Sequence, residues 1–236
     1  MISEGSTLSE SPERADSIQE PLRLQALEHV MQAIALARLA GGMAHDVKNP
    51  LNAMALQIAL LGDKIASGGD DLSAACAGNL ASMRNQIVRI DELVRRFADL
   101  ADPAQSATVD LGQLACDVVA LFGHDARRRR VTISCEATPG IVLARADARR
   151  TARVVLGLAC RSLSGAGEGG RVSLRAVVDG ADAVLAVEQS GAGDAGLAWI
   201  LAVAEESVRD MGGTCSRSEH GEAERVELRF GKESAS

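Results

Sequence analysis

Apolar residues recur at alternating steps of four and three along the first third of the chain: Val30, Ala33, Ala37, Ala40, Ala44, Val47, Leu51, Met54, Ile58, Leu61 and Ile65. A seven-residue repeat held over five heptads marks the seam of a coiled coil or helical bundle, not the wider stripe of an isolated surface helix. Pro50 falls inside this run. A proline within a helix removes a backbone hydrogen bond and costs about 3 kcal/mol, yet the pattern continues past it, which predicts a kink within one long helix. A second run with the same spacing, Leu72, Cys76, Leu80, Met83, Ile87, Ile90, Val94 and Phe97, predicts a second helix. Ser67 to Asp71, SGGDD, supplies the turn between them. Two helices with one seam each leave that seam uncovered, and a twofold dimer closing a four-helix bundle covers it at least cost. A homodimer is therefore expected.

The pattern changes after ADPAQSA (Ala101 to Ala107), where Pro103 and small polar residues form a linker. Asp110 to Arg127 reads as a helix, Val131 to Ala137 as a strand, Ile141 to Ala144 as a short strand and Asp147 to Leu163 as a helix. Val172, Leu174, Ala176 and Val178 alternate before Gly180, and Val184, Ala186 and Glu188 after it, which predicts a hairpin. A helix from Gly196 to Met211, stopped by Gly212 and Gly213, leads to a last hairpin through Thr214 to Phe230. Helices interleaved with largely antiparallel strands make a two-layer α+β sandwich. The expected organisation is a disordered tail over 1–21, rich in Ser, Glu and Pro, a helical hairpin over 22–101 and the sandwich over 108–232.

Composition narrows the function. A net charge of -7 over 236 residues, with no basic stripe carrying interleaved aromatics, argues against nucleic acid as a partner. No run of eighteen apolar residues and no basic-then-apolar N-terminus occur, so neither a membrane span nor a signal peptide is expected, and the protein reads as cytoplasmic. The five cysteines, Cys76, Cys116, Cys135, Cys160 and Cys215, are scattered in apolar patterns without metal-ligand spacing and read as reduced core thiols.

Candidate chemistry sits in GGMAHDVKNPLNAM, residues 41–54. His45 lies one step off the seam and shares a helix face with Arg38, Gly41, Gly42, Lys48, Asn49 and Asn52. Each glycine in a helix interior costs roughly 0.5–1 kcal/mol against alanine, so something else must favour the pair. A lone exposed histidine is most often solvated, but here it has company. An imidazole with a free ring nitrogen is a nucleophile near neutral pH. Asp46 can orient it or take its proton, Lys48 can offset phosphate charge, and Asn49 can donate to a phosphoryl oxygen or to water; phosphoryl transfer needs these roles.

His45-Asp46-Val47-Lys48-Asn49-Pro50-Leu51 resembles the H-box of bacterial two-component sensor histidine kinases. The resemblance implies a dimerisation and histidine-phosphotransfer hairpin with His45 as phosphoacceptor, with Asp46 assisting transfer and Asn49 contributing to autophosphorylation and phosphatase activity. The element order after the linker resembles the ATP-binding domain that follows in that family, so the two resemblances cover 22–230.

The nucleotide site departs from the family pattern. Asp147 and Arg150 fit its long helix, but the two metal-holding asparagine positions fall on Gly157 and Arg161, and a guanidinium repels a divalent cation. The adenine-recognising aspartate falls on Gln189 within Glu188-Gln189-Ser190-Gly191-Ala192-Gly193, and the second glycine box and the lid before it are missing. Gly191 and Gly193 also suit an ordinary strand-to-helix turn. This implies a histidine phosphotransferase in which His45 carries phosphate between response-regulator receiver domains, with no cofactor or metal bound by this chain and Mg2+ supplied by the receiver. Two alternatives stay open: a divergent ATP-dependent sensor histidine kinase, which would require ATP, and a non-catalytic dimeric scaffold or pseudokinase. Arg127 to Arg130 reads as a solvated helix end that could also meet an acidic partner or phosphate, and Trp199 as core or, less simply, a docking contact.

Overall fold

The computed structural model describes residues 12–67, 72–191, 197–221 and 223–233. A helical hairpin of α1 (Pro12–Ser67) and α2 (Leu72–Ala101) leads into an α+β sandwich. There, β1 (Thr108–Asp110), α3 (Leu111–Arg128), β2 (Thr132–Glu136), β3 (Leu143–Arg145), α4 (Ala148–Gly165), β4 (Arg171–Asp179), β5 (Asp182–Ser190), α5 (Trp199–Asp210), β6 (Thr214–His220) and β7 (Ala223–Gly231) follow in order.

Helix α1 runs unbroken through Pro21 and Pro50, because packing along its length outweighs one missing hydrogen bond. It also takes in Pro12 to Pro21, which composition had assigned to a disordered tail. A proline at the first helical position gives up only an N–H that the helix leaves unpaired anyway. Residues 1–11, the turn over 68–71, Gly193 and the expected helix start at Gly196 lie outside the described residues.

The main sheet has strand order β2-β4-β5-β7-β6, with β2 parallel to β4 and the other pairs antiparallel. A small β1-β3 pair forms a second sheet, tied by a bridge from Ala144 to Lys232 to the chain just after β7. Helices α3, α4 and α5 cover one face, burying Leu121, Phe122, Val155, Leu158 and Ile200 against Leu174, Leu185 and Leu228. Asp110 begins α3 by accepting from the Gly112 and Gln113 amides at 2.9 and 3.0 Å, and Asp147 begins α4 by accepting from the Arg150 amide at 2.9 Å; each satisfies an orphan donor of a first turn. Gly180 turns the β4-β5 hairpin at a φ of 61°, a conformation that favours glycine.

The hairpin docks on α4 through one face of α1. Leu24, Met31, Ala35 and Leu39 are buried there. Fully buried Glu28 meets Arg150 at 2.8 Å and Arg153 at 3.7 Å, while Arg38 donates to the Cys160 carbonyl and to Ser164 Oγ at 3.1 and 2.8 Å. The heptad seam points elsewhere. Ala44, expected to face inward, is exposed in the single chain, as are Val30, Leu51, Ile58 and Ile65, and Val47 is half-buried. Among the described residues, no helix is long and apolar enough to cross a membrane, and the five cysteines are free thiols.

Candidate functional site

The regular helix around Pro50 sets out His45, Asp46 and Asn49 within one turn. The His45 side chain is 55% exposed. Its Nδ1 lies 3.2 Å from Asn49 Nδ2 and 3.7 Å from Asp46 Oδ1. Asn49 is exposed and can present either end of its amide, since oxygen and nitrogen exchange by a flip. When the imidazole carries its proton on Nδ1, directed to Asp46 and the amide oxygen, Nε2 keeps its lone pair and is the nucleophile. Lys48 is exposed, one turn along.

The sandwich contributes residues that the sequence had not joined to this cluster. His124, near the end of α3, places its ring centroid 4.4 Å from that of His45, tilted by 38°. Asp46 Oδ1 is the hub: His45 Nδ1 is at 3.7 Å, His124 Nδ1 at 3.5 Å and Arg127 Nη2 at 3.6 Å. Gly42 makes the approach possible. A Cβ there would stand 3.2 Å from His124 Cβ, whereas one at Gly41 would meet nothing within 4 Å. The glycine pair thus has different duties at its two positions. A cleft of about 420 Å³ lined by Arg38, Gly42, His124, Asp125 and Arg128 opens alongside.

The four-arginine run is only partly a solvated helix end. Arg127 reaches Asp46, Arg128 and Arg129 hold buried Asp125 at 3.0 and 2.8 Å, and Arg130 pairs with Glu168. A hint lay in the sequence: two glycines under a histidine leave room for a partner, and a basic helix end suits an acid.

At the positions that the family resemblance assigns to a nucleotide site, the side chains are engaged with one another. Gly157 faces Met31 of α1, whose thioether fills the space that any Cβ would need. Arg161 forms a bidentate pair with Glu224, both bonds 2.8 Å. Burial alone would raise the Glu224 carboxyl, but Arg161 and Arg217 outweigh it and hold it below the ordinary glutamate range. Gln189 lies against Gly165, where a Cβ would come within 2.6 Å of its Nε2, and its Oε1 is buried without a partner. Gly191 adopts a φ of 112°, with Ala166 O filling the place of a Cβ, so it is a packing turn. Asp147 and Arg150, the two residues that fit the family's helix, are spent on a cap and on ion pairs with Glu28 and Asp210. Trp199 is partly buried against the core.

Residues 35–105 match the His Kinase A (phospho-acceptor) domain model. Over 173 residues the chain is 26% identical to the sensor histidine kinase ZraS of Salmonella typhimurium (strain LT2), covering 72% of this chain and 36% of that protein. It is 28% identical to ZraS of Escherichia coli (strain K12) over 163 residues, covering 68% of this chain and 34% of that protein. The chain thus spans about a third of the length of these relatives. Among solved structures, the catalytic domain of histidine kinase ThkA aligns with a TM-score of 0.47 at 18% identity, covering 53% of this chain and 95% of that one.

Proposed function

We propose that the chain acts as a member of the two-component sensor histidine kinase family, to which the phospho-acceptor domain match and the similarity to ZraS point, that His45 is its phosphoacceptor and that its donor is the aspartyl phosphate of a response-regulator receiver domain. The observation that carries this reading is the packing of Met31 over Gly157. The helix that carries the histidine closes the position where the family holds its metal, and Arg161 beside it is already committed to Glu224.

In the transfer, His45 Nε2 attacks phosphorus, the N–P bond forms and the P–O bond to the aspartyl carboxylate breaks. The Nδ1 proton stays on the ring, and Asp46 faces the cation that develops. Delivery to a second receiver runs the same steps backward. Magnesium belongs to the receiver's acidic pocket. The hairpin over 22–101 is the phosphotransfer unit and the domain over 108–232 its docking surface, in a cytoplasmic relay.

A homodimer forms part of the proposal. Val30, Leu51, Ile58 and Ile65 on α1 and Leu80, Ile87 and Val94 on α2 are 44–60% exposed at heptad spacing, a stripe that a second hairpin covers. Leu51→Asp should convert a dimer to a monomer by light scattering.

ATP-dependent sensor kinase activity is the second reading, and the similarity to ZraS over about 70% of the chain favours it. The unpartnered Gln189 Oε1 also favours it, because it leaves an acceptor where the family reads adenine. Labelled Mg-ATP alone, then a labelled phosphorylated receiver, separates the two. Acid-labile, alkali-stable label on His45 from the receiver only is expected. Labelling from ATP alone would hand the assignment to the kinase reading.

A further inference from the structure

We propose that His45, Asp46 and His124 bind one divalent transition metal ion of the zinc class, and that the bound ion locks the His45 imidazole in a form unable to accept phosphate. The ligand atoms of the three residues all lie within 4.8 Å of one another. The two edges that meet at Asp46 Oδ1 measure 3.7 Å to His45 Nδ1 and 3.5 Å to His124 Nδ1. Metal–ligand bonds of about 2.0–2.1 Å in a tetrahedron put neighbouring ligand atoms roughly 3.3–3.5 Å apart, so small rotations of exposed or half-buried side chains close the site. Two imidazoles and one carboxylate, with a fourth position left to water, form a donor set for zinc, nickel or copper. Magnesium and calcium prefer a shell of oxygens.

The remaining neighbours fit this assignment. Gly42 admits His124 to within ligand distance, which accounts for a glycine that the helix would otherwise replace with alanine. Arg127 is the competitor: its guanidinium sits 3.6 Å from Asp46 Oδ1 and its side chain is 70% exposed. A long exposed side chain can swing away when a stronger cation arrives, so Arg127 limits affinity without blocking the site. Asn49 likewise gives up its contact with His45 Nδ1.

An ion on Nδ1 leaves the ring proton on Nε2, and an Nε2–H has no lone pair with which to attack phosphorus. This consequence rests on His45 being the phosphoacceptor; the binding itself does not. Metal and phosphoryl group are then mutually exclusive ligands of one side chain.

The test is a Co2+ and Zn2+ titration of the full chain after chelator treatment. One ion per chain is expected, with the visible absorption of four-coordinate cobalt and no thiolate charge-transfer band. His45→Ala and His124→Ala should each weaken binding at least about tenfold, and Arg127→Gln should tighten it. The Arg127→Gln arm keeps the test decisive if His124→Ala disturbs the contact between α1 and α3. Zn2+ should also slow phosphate uptake from a phosphorylated receiver in the wild type and lose that effect in His124→Ala. Unchanged affinity in both histidine variants, or a thiolate band, would overturn the site. If His45 never takes up phosphate, the titration still decides the metal site alone.

Discussion

His45 is 55% exposed and shares its Nδ1 between Asn49 and Asp46 at 3.2 and 3.7 Å, whereas Arg161, 14% exposed, commits both terminal nitrogens to Glu224 at 2.8 Å. The first is loosely held and the second fixed. Long contacts around an exposed ring cost little to exchange for a ligand, while a bidentate pair under cover must be broken before anything else can bind. The same holds for their neighbours. Gly42 leaves room that His124 enters without filling the cleft beside it, and Gly157 leaves room that Met31 fills completely. The two clusters thus differ in how far their polar groups are already satisfied.

The largest effect should come from the loose side. His45→Ala removes the one nitrogen that can form a phosphoramidate, so label from a phosphorylated receiver should vanish. The melting temperature should change little, because the ring is 55% exposed and its packing is limited to one tilted contact with His124. Uptake at the wild-type rate would refute the assignment.

On the fixed side, the effect should appear in stability and leave phosphate uptake intact. Arg161→Met strips a covered carboxylate of its bidentate partner while Arg217 still pairs with it, which costs up to about 3 kcal/mol and should lower the melting temperature measurably. The pH dependence has a definite sign. Glu224 is held below its ordinary value in the folded protein, so its contribution is present above the unfolded glutamate range and is lost as pH falls through the folded value. Acid melts of Arg161→Met should show less of that loss than the wild type.

Gly157→Ala comes next, at about 1–3 kcal/mol for overpacking, because the new methyl group meets the Met31 side chain and α1 must give way. The cost should shrink in a Met31→Ala background, a coupling that a double-mutant cycle measures. Equal costs in both backgrounds would mean that α1 does not close this position. Restoring the family's residue with Gly157→Asn should fail to create ATP binding for the same steric reason.

The two regions also differ in how they could be read beforehand. The heptads from Val30 to Ile65 and from Leu72 to Phe97 are local and periodic, so both helices and the continuity through Pro50 followed from spacing. The resemblance points to Gly157, Arg161 and Gln189 as departures from a family pattern, but the groups packed against them are not legible in the sequence. Met31 and Glu224 lie 126 and 63 residues from their partners, and no local period connects them. Asp147 was read as part of a nucleotide helix and serves as its cap, because an aspartate at a helix start suits either use. The strand Thr108–Asp110 was missed, since three residues paired only to β3 carry no alternation. His124 is not joined to His45 by any local pattern, because only the packing of α3 on α1 brings the two rings together.

The smallest stability effect, and the sharpest discrimination, belongs to the glycine pair. Alanine at an exposed helix position in place of glycine stabilises by up to about 1 kcal/mol. Gly41→Ala should show that gain, since a Cβ there meets nothing within 4 Å. Gly42→Ala should show little net change, because the same helical gain is offset by a Cβ placed 3.2 Å from His124 Cβ. That contact is tight enough to move His124 by a few tenths of an ångström, away from its 3.5 Å approach to Asp46. Cobalt affinity should therefore fall in Gly42→Ala and hold in Gly41→Ala. Phosphate uptake should persist in both, as neither substitution touches the His45 nucleophile. If the two variants melt alike and bind cobalt alike, Gly42 is not the residue that admits His124, and the contact between the hairpin and α3 owes its closeness to something else.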